Sequence, residues 1–312
     1  MTMRYTSAAA FRQALEAHLR RHSHNTGLSI VRLRKGTTFN RLLARLLDVA
    51  PDRWLLKGAL ALDFRLGAHA RATLDMDLGR DDDADAATAD LLAAQEHDLG
   101  DYFAFAVERT DRLDALREGA AVRYHVHAEL ASRTFEHVIV DVGFTDRPAG
   151  KRDGRAELIA APDLLSFAGI APLIVPVITL DHHIAEKVHA YTRGYGSTGA
   201  VQSTRVKDLV DLALIAAQAS VVAERVRAAL VEVFGGRSLQ ALPPEIPHPP
   251  SSWQPPYAVL ARSIGIQSDL EAGHAQVAAF LNPLLAPTPL THAVWDPKQQ
   301  CWGLPSDHQS RL

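Results

Sequence analysis

The sequence predicts an α/β (α+β) chain: a small mixed-sheet core preceded by helices and followed by a mostly helical half. Three observations point there. Apolar residues recur at helical spacing through the first fifty residues, alternate with polar ones between about residues 72 and 144, and return to helical spacing after residue 180. With 312 residues, 47% of them apolar and 22% charged, the chain is long enough for two domains or one with a substantial appendage. The change of pattern divides it as residues 1–155 and residues 156–312.

Residues 7–21 carry Phe11, Leu15 and Leu19 at i, i+4 and i+8, with Ser7 placed as N-cap. A second helix is expected over residues 37–49, with Phe39, Leu42, Leu43, Leu46 and Leu47 on its buried stripe. Residues 54–58 (WLLKG) form a short apolar run ending in glycine, and residues 59–66 have helical composition, which together read as strand, tight turn, helix. Residues 72–78 (ATLDMDL) place Thr73, Asp75 and Asp77 on one side of a strand and Leu74, Met76 and Leu78 on the other. A helix at 86–98 and strands at 103–108, 122–130 and 134–144 follow, then a polar turn at 147–155. The second half reads as helices at 180–191, 204–218, 222–234 and 268–284. Residues 243–256 hold seven prolines and read as a loop that cannot be helical.

No apolar run approaches the roughly 20 residues of a membrane span, and the stretch around 170–180 is broken by Pro172 and Pro176. No secretory pattern opens the chain, so a cytoplasmic location with no membrane partner is expected. A lone cysteine, Cys301, excludes an internal disulfide and a cysteine-based metal site. The net charge of −3 hides an asymmetry: residues 1–50 sum to +7 and residues 51–150 to −9. Arg32, Arg34, Lys35 and Arg41 in the basic segment are candidate contacts for an RNA backbone, the alternative being a solvated helix face.

Strands deplete aspartate, yet Asp75 and Asp77 sit two apart on one strand face, where their charges repel. A divalent cation relieves such a pair, because hard Mg²⁺ takes carboxylate oxygens and leaves positions open for phosphates. Asp141, between Val140 and Val142 on another strand, is a candidate third carboxylate, as metal ligand or base. Lys57 and Gly58 stand at the strand-to-helix turn, where glycine lets backbone approach a phosphate and the helix N-terminus favours an anion. Arg71, just before the acidic strand, adds a candidate guanidinium.

The segments Lys57-Gly58-Ala59-Leu60-Ala61-Leu62 and Arg71-Ala72-Thr73-Leu74-Asp75-Met76-Asp77-Leu78 resemble the AbiEii/AbiGii-type toxin nucleotidyltransferases of the DNA polymerase β-like superfamily. Ala185-Glu186-Lys187-Val188-His189-Ala190-Tyr191 and Arg205-Val206-Lys207-Asp208-Leu209-Val210-Asp211-Leu212 match the same family, as does the basic stretch at 32–46. The resemblance covers residues 32–218 and extends to the mycobacterial tRNA-modifying MenT-type toxins. Ala59 departs from the family pattern, which has Ser or Gly there, so a hydroxyl contact to phosphate is absent while the backbone N–H remains.

The resemblance implies Mg²⁺-dependent transfer of NMP from an NTP to RNA, the tRNA 3′ end above all, by a toxin paired with an antitoxin protein. It places Asp75, Asp77 and Asp141 at the metal, and Lys57, Gly58, Ala59, Arg71, Lys187, Arg205 and Asp211 at the nucleotide. It also implies a catalytic aspartate on the later helix, with Asp208 preferred and Asp211 second. Lys187 shares a helix face with His183 and Tyr191, and spacing alone reads it as a surface lysine paired with an acid. Spacing also allows intrahelical Arg205–Asp208 and Lys207–Asp211 pairs. His182, His183 and His189 lack partners at a familiar metal-ligand spacing. Two rival readings remain: the same chemistry on a small molecule or protein side chain, and a non-catalytic binding partner that keeps the fold.

Overall fold

The computed structural model describes residues 4–112, 121–144, 154–193, 205–236, 240–288 and 290–304. Residues 147–153 of the expected polar turn, and residue 204 at the start of an expected helix, lie outside the described residues. The chain divides into two compact units: Met1–Ala68 with Ala72–Ile178, and His69–Arg71 with Thr179–Leu312.

The first unit is a mixed α/β layer. In chain order it runs α1 (Ala8–Thr26), α2 (Ile30–Val49), β1 (Leu55–Lys57), α3 (Gly58–Leu66), β2 (Asp75–Arg80) and α4 (Ala84–Glu96). The strands β3 (Phe103–Arg112), β4 (Ala121–Leu130), β5 (Arg133–Phe144), β6 (Ala156–Ala160) and β7 (Ile174–Ile178) complete it. The sheet order is β3-β4-β5-β2-β1-β7-β6, with β2 parallel to β5, β1 parallel to β7 and the other pairs antiparallel.

Alternation decides which face is core. Met76 and Leu78 of β2, Val122, Tyr124 and Val126 of β4, and Val138, Val140 and Val142 of β5 are buried in one cluster with Phe11, Leu15 and Leu19 of α1 and Leu42, Leu43 and Leu46 of α2. The alternate residues of the same strands face the other way, and the acidic side chains are among them. Ser7 caps α1 as the sequence suggests, its hydroxyl accepting from the Ala10 N–H, and Gly27 ends the helix in the left-handed conformation.

The sheet is larger than expected, because β6 and β7 join it. Pro176 hid β7, since a proline argues against an inner strand. The strand tolerates it beside β1, to which it pairs only through Leu56 and Val177. The helix α2 also begins earlier than expected, at a Ser29 cap, so Arg32, Arg34 and Lys35 lie in its first turns.

The charge asymmetry resolves inside this unit. Arg41 Nε donates to Asp101 Oδ2 at 2.6 Å, and Arg45 grips both oxygens of the same carboxylate at 3.0 and 2.7 Å. Arg32 pairs with Asp63 and donates to the Gly67 carbonyl, Arg34 pairs with Glu16, and Lys35 lies 3.5 Å from Glu136 and donates to the His137 carbonyl. The expectation that Arg41 meets an RNA backbone is therefore corrected: its side chain is only 4% exposed and already neutralised. Arg32, Arg34 and Lys35 are likewise engaged by acids of their own unit, which is why the basic segment is not a bare cationic patch.

Among its described residues the second unit holds five α-helices and one hairpin. It contains α5 (Leu180–Thr192), α6 (Val206–Gln218), α7 (Ala223–Gly236), α8 (Gln254–Ser263), α9 (Leu270–Leu285), β8 (Val294–Asp296) and β9 (Cys301–Gly303). Residues 208 to 216 of α6 are all buried, with α5, α8 and α9 packed around them. Trp295 of the hairpin donates its indole N–H to the Ala216 carbonyl at 2.7 Å, closing the end of α6. The proline-rich stretch is not loop throughout: Pro255 and Pro256 lie in the first turn of α8, where a missing N–H costs no helical bond. Among the described residues no helix is long and apolar enough to cross a membrane.

Candidate active site

Strand register assembles a charged row on the sheet face opposite the helix-covered core. Lys57 of β1 pairs with Asp77 of β2, Asp77 with Asp141 of β5, and Asp141 with Arg123 of β4. Cross-strand partners share a face, so a cation, two carboxylates and a second cation stand in line across four strands. Asp75, two residues before Asp77, adds a third carboxylate to that face.

Each member of the row has a local reason for its position. Gly58 has φ +62°, and a Cβ built on it would stand 1.8 Å from Asp77 Oδ2. The Asp77 carboxylate thus lies directly against the first residue of α3, whose free N–H groups and dipole favour negative charge. Gly79 serves Lys57 similarly, for a Cβ there would meet the lysine stem 2.9 Å away. Thr73 holds the third carboxylate, its hydroxyl lying 2.5 Å from Asp75 Oδ1 and 2.9 Å from the Asp75 carbonyl oxygen. Ala59 is buried in the first turn of α3.

Arg123 was not anticipated. Its Nε and Nη2 donate to Asp141 Oδ1 and Oδ2, both at 2.7 Å, a two-pronged grip on one carboxylate. Its pKa is raised, first by that hydrogen bonding against the opposing effect of burial, then by the charges of Asp141, Asp75 and Asp77. The signal available in the sequence was the alternation of β4, which puts Arg123, His125 and His127 opposite Val122, Tyr124 and Val126.

The donor set suits a hard divalent cation. Among the described residues no three acidic, histidine or cysteine side chains converge into a ready metal cage. Mg²⁺ asks for less, usually one or two carboxylates with substrate phosphates and water completing its shell. Asp75 and Asp77, on one face of one strand, meet that demand, whereas both oxygens of Asp141 are engaged by Arg123.

In the second unit the remaining predicted residues gather around α5 and α6. Lys187 of α5 lies 2.9 Å from Asp208 Oδ1 and 2.7 Å from Asp211 Oδ2 of α6. Arg71 donates to both oxygens of Asp211 at 2.8 and 3.1 Å, and Arg205 lies 3.6 Å from Asp208. Asp211 is fully buried and Lys187 nearly so. Burial alone would raise the Asp211 pKa, but Lys187 and Arg71 outweigh it and bring the group down from 3.8 to about 2. Burial likewise opposes charge on Lys187, and Asp211 with Asp208 hold it above its usual value. The expected Arg205–Asp208 contact forms. Asp211, however, turns inward to Arg71 and Lys187, while Lys207 stays exposed.

The pattern of the family described as "Nucleotidyl transferase AbiEii toxin, Type IV TA system" matches residues 41–299. No curated protein matches. Among solved structures, the chain is similar to MenT4, a nucleotidyltransferase toxin from Mycobacterium tuberculosis H37Rv, at 21% identity and a TM-score of 0.49, covering 70% of each chain. It is also similar to JHP933 from Helicobacter pylori, at 14% identity and a TM-score of 0.40, covering 80% of this chain and 90% of that one.

Gly58→Ala places a side chain at a left-handed position, which costs about 1–2 kcal/mol, and displaces the Asp77 carboxylate. Urea unfolding should show a loss of at least that size, and nucleotide transfer by the folded fraction should fall; an unchanged protein would contradict the packing. Asp211, whose pKa is depressed by folding, contributes stability that is complete above about pH 4 and is lost as pH falls toward about 2. Unfolding free energies measured across that window should show this loss in the wild type and a shallower one in Asp211→Asn, which should itself be destabilised by about 3–5 kcal/mol because Lys187 and Arg71 lose a buried partner.

Proposed function

The chain belongs to the AbiEii nucleotidyltransferase toxin family, matched over residues 41–299, and from that premise we propose that it moves NMP from an NTP to the 3′ end of an RNA, tRNA above all, with Mg²⁺ at Asp75 and Asp77. Family membership makes it a nucleotidyltransferase and the toxin of a type IV toxin–antitoxin system, with an NTP as substrate and an antitoxin as partner. The acceptor, the metal and the residue roles belong to the proposal.

The observation that carries it is the register that sets Lys57, Asp77, Asp141 and Arg123 in one row beside Asp75. In the transfer, the acceptor hydroxyl oxygen attacks the α-phosphorus, the bond to the bridging oxygen breaks, and pyrophosphate leaves with its electron pair. A divalent cation bound there supplies charge neutralisation of the phosphates and orients them for in-line attack. In this reading Lys57 adds positive charge at the edge of the row, the first N–H groups of α3 at Gly58 and Ala59 receive a phosphate oxygen beside the Asp77 carboxylate, and Asp141 takes the acceptor proton once its own partner is drawn away.

Nucleotide roles for Arg71, Lys187, Arg205 and Asp211, and a catalytic role for Asp208, rest on the family resemblance. Supporting them, the Lys187 ammonium has three donors, of which Asp208 and Asp211 engage two. Supporting an RNA acceptor, His125 and His127 follow Arg123 on the same face of β4, and His127 meets His137 of β5 with ring centroids 4.3 Å apart. Partly exposed rings beside a cation suit the stacking of an unpaired nucleotide.

The test is incubation with each labelled NTP in turn, Mg²⁺ and total tRNA. Label should move to the RNA 3′ end, and a folded Asp77→Ala protein should transfer none. Label found on a small molecule or on protein would replace the acceptor, and transfer persisting in Asp77→Ala would remove the carboxylate pair from the mechanism.

A further inference from the structure

The row carries one cation more than nucleotide binding at Asp75 and Asp77 requires. Arg123 meets Asp141 with both prongs at 2.7 Å, on the strand next to the one that holds Asp141 and in register with it. Asp141 is in turn in register with Asp77. A guanidinium so placed does to Asp141 what a divalent ion would do, neutralising it and using both of its oxygens. Its side chain is 36% exposed, so it can leave this position without opening the core.

We propose that Arg123 stands on Asp141 in place of a divalent cation, so that the resting row offers Asp75 and Asp77 to one ion and admits Asp141 to metal binding or proton transfer only when Arg123 lets go. This rests on the reading of the three aspartates as the carboxylate site. Release has a natural agent. A phosphate oxygen pair is as good a two-pronged partner for guanidinium as a carboxylate, so an arriving triphosphate or RNA end competes for Arg123 and frees Asp141. Arg123 is then a positioning residue that ties readiness of Asp141 to the presence of a phosphate. It also carries a cost: a fixed positive charge beside the carboxylates repels any metal ion approaching them.

The experiment is titration of the metal-free, full-length protein with Mn²⁺, followed by calorimetry, without nucleotide. Removing the competing charge in Arg123→Gln should tighten Mn²⁺ binding at least about tenfold, as expected for a like charge within a few ångströms at a partly screened site. Arg123→Lys, which keeps the charge but loses the two-pronged grip, should fall between. That variant also tests the inference should the glutamine protein prove unstable, since equal affinity in wild type and Arg123→Lys would overturn it. Unchanged or weaker binding in Arg123→Gln overturns it as well. Asp77→Asn separates the two levels of the argument. If wild type binds Mn²⁺, Asp77→Asn does not, and Arg123→Gln binds no better than wild type, the carboxylate site stands and the role of Arg123 falls. If none of the proteins binds Mn²⁺, the carboxylate reading itself fails and this inference with it.

Discussion

Three carboxylates on one face of a sheet repel each other, and much of the first unit is arranged to bear that repulsion. The parallel pairing of β2 with β5 forces Asp77 and Asp141 side by side, and nothing in strand propensity favours it. Lys57 and Arg123 bracket the pair in the same register, Thr73 holds Asp75, and Gly58 gives up its side chain so that Asp77 can lie against a helix N-terminus. On the opposite face the same strands carry Met76, Leu78, Val140 and Val142 into the core, so the backbone cannot slip by one residue without burying the charges. Hydrophobic burial thus fixes the register, and the register fixes the site.

The second unit meets the problem of buried charge differently. Arg71, Lys187, Asp208 and Asp211 bring two cations and two anions together, and the inward pair of Asp211 with Lys187 is removed from water. Such a cluster is weak evidence for stability relative to an apolar core, yet losing any one member is costly because its partner stays buried and charged. Asp101 with Arg41 and Arg45 repeats the pattern in the first unit. The enclosed charges of these clusters hold one another, whereas Lys57, Asp75, Asp77, Arg123 and Asp141 of the row are each partly exposed.

Periodicity made most of this fold legible. The helices at the N-terminus, the acidic strand, β3 to β5 and the turn at Gly58 all follow from alternation and helical spacing. Elements that depend on long-range pairing did not: β7 contains Pro176, and only its partners make it a strand. The proline pair in α8 was read as a helix breaker because position within the first turn, not composition, decides its effect. In the site, Asp75, Asp77 and Asp141 stood out because aspartate is rare on strands. Arg123 did not, since a cation on an exposed strand face is ordinary until register sets it beside an acid. Net charge along the basic N-terminal stretch likewise says nothing about which acids fold against it, and Arg32, Arg34, Lys35 and Arg41 each meet one.

Because the account turns on repulsion relieved by a cation, the most direct measurement is the unfolding free energy of the wild type with and without excess Mg²⁺, beside the same pair of measurements on Asp75→Asn. If the carboxylates hold the ion, Mg²⁺ at about a hundred times its dissociation constant should stabilise the wild type by about 2.7 kcal/mol. Asp75→Asn should gain far less from Mg²⁺, and in metal-free buffer it should be at least as stable as the wild type. A wild type indifferent to Mg²⁺, or a variant stabilised to the same extent, would contradict the claim that this row of side chains is built to hold a divalent cation.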